Sequence, residues 1–261
     1  MRAMKYLVAA GKASIETIAE GKGPLVVILP SRGRGAEDYD EVARGVAKAG
    51  YRVLRPQPRG IGRSKGPMQG LTLHDFASDI AAAIEHEGGP AILVGHAFGN
   101  WVARMTAADH PKLVRAVAVL AAAAKKYPAA LAEAVTQCAD VSLPDGERLK
   151  HLQFAFFAPG HDASAWLEGF YPEVNASQRA AGLATPQEAW WGAGGAPLLD
   201  LQAENDAFRP RETVNDLREE LGERVTVSVV RDAGHALVPE QPAAVVAALL
   251  DWMQGLSEKG S

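Results

Sequence analysis

Cysteine is nearly absent. Cys138 is the single one in 261 residues, which rules out an intrachain disulfide framework and a CxxC metal pair and suits a reducing, cytoplasmic setting. Positive charge is not in excess either. The 27 Lys and Arg against 31 Asp and Glu leave a net charge of −4, so there is no electrostatic footprint for nucleic acid or an anionic lipid surface. Long apolar runs are missing: the longest, Ala116 to Ala124, is about half a membrane span and reads as a buried strand with its exit. At the N-terminus Arg2 and Lys5 precede only a brief apolar stretch, too short for a signal peptide. No internal repeat or low-complexity tract interrupts the chain. What is present, 48% apolar and 22% charged residues, is the composition of an ordinary globule. Its length fits one α/β domain with an insertion.

Periodicity predicts the layout. Val8 to Glu20 around Gly11 reads as a hairpin, and Pro24 to Pro30 (PLVVILP) is a continuous apolar run of the kind found in strands buried on both faces. A helix follows between Asp38 and Gly50, then a strand from Tyr51 to Arg55. A second helix, Leu71 to Glu87, has Thr72 as its cap and repeats Phe76, Ile80 and Ile84 every four residues. Buried strands Ala91 to Val94 and Leu113 to Leu120 flank a helix from Asn100 to Ala108. This alternation implies a parallel sheet with right-handed crossovers. From Ala124 to Trp191 the pattern becomes proline-broken helices, an expected helical cap spanning 124–191 between core segments 1–123 and 192–261. Strands resume at Pro197 to Gln202 and Arg224 to Val230, before a closing helix from Pro242.

Three segments carry chemistry. LVGHAFGNWVAR is a strand, a sharp turn bracketed by Gly95 and Gly99, and a helix. Such a turn lifts its central side chain above the sheet edge, where a nucleophile normally sits; here that residue is Ala97. The amide of Phe98 opens the helix, where unpaired N–H groups favour an oxyanion. LLDLQAENDAFRP presents Asp206 just beyond a strand, with Glu204 as runner-up acid and Asp200 inside the strand. VRDAGHALVPEQP presents His235 between the last strand and the last helix. An aspartate accepting the Nδ1 proton of that histidine would leave Nε2 free as a base.

In the order elbow, acid, histidine, the chain resembles the α/β-hydrolase superfamily over nearly its full length, anchored on Gly95 to Gly99. The resemblance implies a mostly parallel eight-stranded sheet flanked by helices, with the cap between the sixth and seventh strands. ILPSRGRG occupies the family's oxyanion-loop position, so the resemblance implies that Ser31 or Arg32 supplies the second oxyanion donor. RPQPRGIGRSKGP matches the D-x-R-G-x-G-x-S loop, with Gln57 in place of the usual aspartate. A small-molecule substrate and no metal or organic cofactor are expected. Helices on the sheet edges leave a homodimer open, though no exposed stripe calls for one.

Several residues near these motifs have two readings. Arg32 and Arg34 are either solvated charges or, turned inward, partners of a substrate carboxylate. His96 lies within the elbow and is expected at the site. The other histidines, His74, His86, His110, His151 and His161, show no metal-ligand spacing. The aromatic residues concentrated in the cap, Trp166, Trp190 and Trp191 among them, build a core of their own or line an apolar substrate pocket. Ala97 itself excludes double-displacement ester hydrolysis through residue 97. Three readings follow: alanine replaces a native serine in an engineered knockout of a small ester, lactone or related acyl hydrolase; His235 works as a general base without a covalent intermediate, as in a cofactor-free lyase or hydratase; or the protein only binds a small molecule. The paired acid and histidine argue against the last.

Overall fold

The computed structural model describes residues 3–258; Arg2, used in the N-terminal reading, lies outside them. Eight strands form one sheet: β1 (Met4–Ala10), β2 (Ala13–Gly21), β3 (Leu25–Leu29), β4 (Arg52–Pro56), β5 (Ala91–His96), β6 (Val114–Leu120), β7 (Leu198–Ala203) and β8 (Val225–Val230). Their spatial order is β1-β2-β4-β3-β5-β6-β7-β8. Only β2 runs against its neighbours, β1 and β4. The remaining pairs are parallel, as the strand-helix alternation requires. Every residue of β5 and β7 is buried; β5 accordingly opens as the apolar run Ala91–Val94, whereas β7 also buries Asp200 and Gln202.

The helices are α1 (Asp40–Lys48), α2 (Leu73–Glu87), α3 (Phe98–Asp109), α4 (Ala129–Cys138), α5 (Asp145–Ala155), α6 (Pro172–Ala184), α7 (Gln187–Trp190), α8 (Asp216–Leu221), α9 (Leu237–Glu240) and α10 (Pro242–Glu258). The start of α2 is set by the Asp75 carboxylate, which accepts from the Thr72 backbone N–H at 2.8 Å and from its hydroxyl at 2.9 Å. Helix α3 begins two residues earlier than the sequence pattern predicts, because the turn before it is a single residue. One apolar cluster joins Phe76, Ile80 and Ile84 of α2 and Val102 of α3 to the strands. Another joins Val42 and Val46 of α1 and Val245 and Leu249 of α10 to them.

Between β6 and β7 the chain forms α4, α5, a 3₁₀ turn at Ala163–Trp166, α6 and α7. This segment has its own apolar cluster, with Leu131, Leu152, Phe156, Phe157, Trp166 and Phe170 packed on Phe208 and Ala236 of the main body. Trp190 and Trp191 belong elsewhere. They join the α2–α3 cluster, where Trp190 stacks on Trp101 at 5.2 Å between centroids.

Candidate active site

The elbow is a backbone device. Ala97 joins β5 to α3 with φ 48° and ψ −115°, a region that costs a non-glycine residue about 1–3 kcal/mol. Glycine is needed on both sides. A Cβ on Gly95 would sit 2.4 Å from the Gly99 carbonyl oxygen, and one on Gly99 would sit 2.4 Å from the Leu29 carbonyl oxygen. The turn therefore presses α3 onto the ends of β5 and β3. Phe98 is the first residue of α3, so its N–H has no carbonyl within the helix to bond.

Asp206 and His235 meet beside this turn. His235 Nδ1 lies 3.0 Å from both carboxylate oxygens of Asp206, and both residues are buried. Asp206 is itself steadied by the Phe208 amide, which donates to Oδ1 at 2.9 Å. The Phe208 ring packs on the imidazole at 4.3 Å between centroids. A carboxylate at Nδ1 places the proton there, leaving Nε2 as the basic nitrogen. The runner-up acid is excluded by position: Glu204 is exposed and accepts from the Asp232 amide. Asp200 is committed to Arg209 at 2.9 Å.

His96 lies behind His235 rather than in the reacting space. Its Nε2 faces the His235 carbonyl oxygen at 2.7 Å and its Nδ1 faces the Tyr39 hydroxyl at 2.7 Å. Since the carbonyl only accepts, Nε2 carries the proton and Nδ1 accepts from Tyr39. Burial, assisted by the neighbouring His235, pushes the His96 pKa down to about 3. The Tyr39 oxygen in turn accepts from the Ser31 amide at 2.9 Å. The Ser31 N–H, one of the two expected oxyanion donors, is thus engaged within the protein.

The two loop arginines have different fates. Arg34 does turn inward, but it is not free for a substrate: Nη1 donates to the carbonyls of Trp166 at 3.1 Å and Glu168 at 2.6 Å, and Nε donates to Asp38 at 2.6 Å. Its guanidinium lies between the Trp166 ring, 4.8 Å away, and the Phe170 ring, 4.5 Å away. Arg34 fastens the segment between β6 and β7 to the loop after β3, with Gly33 N–H donating to Gln178 Oε1 at 2.7 Å. Arg32 reaches Asn175 Oδ1 through Nε at 2.7 Å, and burial lowers its pKa from the usual arginine value.

A cavity of about 60 Å³ lies over the elbow, lined by Ser31, Arg32, Ala97, Phe98, Asn100 and His235, with Trp101, Tyr127 and Phe208 also on its wall. A larger cleft of about 490 Å³ shares Arg32, Phe98, Trp101 and Tyr127 with it and extends between α4 and α6. Three expected substrate contacts line neither space. Trp166 packs behind His96 at 5.8 Å between centroids, Trp190 stacks under α3, and the Trp191 Nε1 donates to Glu220 at 2.8 Å. Their burial serves packing. Sequence reasoning missed Trp101, Tyr127 and Phe208 as pocket walls, although Trp101 and Phe208 lie within the strings that carry the elbow and the acid. Among the described residues no group of His, Cys, Asp and Glu has the arrangement of a metal site, and no helix is long and apolar enough to cross a membrane.

A family model described as "Alpha/beta hydrolase family" matches residues 26–249. Among curated proteins, the "Putative carbamate hydrolase RutD" of Variovorax paradoxus (strain S110) is 28% identical over 256 residues, covering 91% of this chain and 94% of that one. Among solved structures, E-2-(acetamidomethylene)succinate hydrolase superposes with a TM-score of 0.79 at 21% identity, covering 97% of this chain and 100% of that one. The esterase EaEST from Exiguobacterium antarcticum gives 0.79 at 18% identity, covering 96% and 100%. At these identities the structural likeness speaks for the fold alone.

Proposed function

The chain belongs to the alpha/beta hydrolase family, and from that premise we propose that it cleaves a small ester, lactone or related acyl compound by general-base catalysis, without a covalent enzyme intermediate. The observation that carries this reading is the Asp206–His235 pair, two 3.0 Å contacts to Nδ1, on a cavity whose other wall is Ala97 and the start of α3. A water held over the Ala97 methyl group gives its proton to His235 Nε2 as it attacks the acyl carbon. The developing oxyanion accepts from the Phe98 and Arg32 amides. As the tetrahedral species collapses, the imidazolium returns the proton to the leaving group, and Asp206 stabilises the cation in between. The relatives' names, a carbamate hydrolase and an esterase, describe reactions at acyl groups and agree with this class. We assign 124–191 as a cap over a core of 1–123 and 192–261, with Trp190 and Trp191 at its boundary serving the core.

One observation favours a second reading. The strained elbow conformation is retained at Ala97, although only a side chain with a nucleophile uses it; in that reading serine is the working residue and alanine its knockout. Activated esters and a fluorophosphonate probe, applied to the wild type, Ala97→Ser and His235→Ala, separate the two. General-base hydrolysis gives turnover by the wild type without labelling, falling by about 10²- to 10⁴-fold in His235→Ala. An inert wild type beside an Ala97→Ser variant that both hydrolyses and labels overturns it in favour of serine catalysis. Inertness of both leaves a small-molecule binder or a lyase.

A further inference from the structure

Among the described residues the buried arginines are paired, with one exception. Arg34, Arg55, Arg59, Arg148 and Arg209 each reach a carboxylate within 3.3 Å. Arg104 does not, but it is enclosed, with its guanidinium 4.6 Å from the Trp191 ring centre, and it lines neither space at the site. Arg32, half-buried, likewise reaches no carboxylate, and it lines both the inner cavity and the outer cleft. Its Nε is spent on a neutral acceptor, the Asn175 amide oxygen. Its Nη2 is buried with no hydrogen-bond partner. An unused donor on a desolvated cation is unfavourable unless something supplies an acceptor, and no carboxylate of the described residues forms an ion pair with Arg32.

A second cation lies on the same cleft. Arg179 of α6 lines it and is exposed, and it makes neither a hydrogen bond nor an ion pair with any described residue. Glu133 of α4 also lines the cleft and pairs with neither arginine. The other residues that line both spaces are aromatic: Phe98, Trp101 and Tyr127. A ligand spanning the two spaces thus meets His235, aromatic walls and a cation without a carboxylate partner, Arg32, that lines both.

We propose that the substrate is an acyl compound bearing a free carboxylate, such as a half-ester or half-amide of a short dicarboxylic acid, with the carboxylate on the Arg32 guanidinium, Arg179 assisting from the cleft, and the acyl carbon over Ala97. This rests on the hydrolytic reading above, and binding is therefore measured apart from turnover. Glutarate and its neutral isostere glutaramide are titrated by calorimetry into the wild type and into Arg32→Gln, Arg32→Lys and Arg179→Gln. The wild type is expected to prefer glutarate by about 10- to 100-fold, the value of a charge-assisted hydrogen bond to a desolvated guanidinium. Arg32→Gln removes the preference, Arg32→Lys keeps part of it, and Arg179→Gln reduces it by roughly threefold. Equal binding of the two probes, no glutarate binding to the wild type, or a preference unchanged in Arg32→Gln overturns the proposal. If Arg32→Gln does not fold, the wild-type comparison and Arg32→Lys decide. Turnover of monomethyl against dimethyl glutarate completes the test. Diester cleavage with no preference for the anion removes the subsite but leaves the hydrolase. Arg32-dependent glutarate binding with no cleavage of either ester keeps the subsite and removes the hydrolytic reading.

Discussion

His96 makes the stability of this protein depend on pH in a way that isolates one side chain. In the folded chain it is neutral, with its pKa near 3; in the unfolded chain the imidazole titrates at about 6.5. A group whose folded pKa is depressed contributes stability fully above the unfolded pKa and loses it as pH falls toward the folded one, because the unfolded state takes up a proton that the folded state refuses. Between pH 6.5 and 3 the slope is one proton, or about 1.4 kcal/mol per pH unit, so acidification from pH 7.5 to 5 removes about 2 kcal/mol through His96 alone. Urea unfolding at pH 7.5, 6.5, 5.5 and 5.0, carried out in parallel on the wild type and His96→Gln, measures this term. The glutamine amide can donate to the His235 carbonyl in place of Nε2, and it does not titrate. The variant is expected to be less stable at pH 7.5 but to lose about 2 kcal/mol less than the wild type on going to pH 5. Equal losses would mean that His96 is solvated or protonated in the folded state and would refute the buried neutral chain from Ser31 to His235.

Two further outcomes follow from the site. Asp206→Asn should lower kcat on any substrate the wild type turns over by about 10³- to 10⁴-fold with KM little changed, because the amide no longer holds Nδ1–H and stabilises no imidazolium; Glu204→Gln, which removes an exposed carboxylate, should leave both constants within about twofold. Arg34→Met should lower the free energy of unfolding by about 3 kcal/mol, measured by urea titration, since it orphans the Trp166 and Glu168 carbonyls and removes a cation from between two rings. A loss under about 1 kcal/mol would show that the loop does not depend on this clamp.

The strands and the elbow were legible in the sequence because they rest on local rules. Continuous apolar runs mark doubly buried strands, and the Gly95 and Gly99 spacing marks a turn in which backbone replaces side chain. The choice of Asp206 over Glu204 was also legible, since position relative to β7 decides which carboxylate reaches the histidine loop. The fate of Arg34 was not, because its partners at Trp166 and Glu168 are backbone carbonyls more than 130 residues away, and carbonyls leave no trace in a residue pattern. The same holds for Tyr39, a residue without a motif, whose hydroxyl accepts from the Ser31 amide. The aromatic concentration before β7 was read as a single population, and folding divided it: Phe156, Phe157 and Trp166 went to the inserted segment, Trp190 and Trp191 to the face under α3.

The chain of bonds from the Ser31 amide through Tyr39 and His96 to the His235 carbonyl has a consequence for ancestry and engineering. It ties the loop after β3 to the histidine loop along a route that passes beside residue 97 without using its side chain. The identity of that residue is therefore uncoupled from the architecture around it. In the proposed reading, a lineage or an experimenter can exchange the group at residue 97 while His235, Asp206 and the Phe98 amide stay in register, and reaction chemistry becomes an interchangeable part seated in a permanent socket.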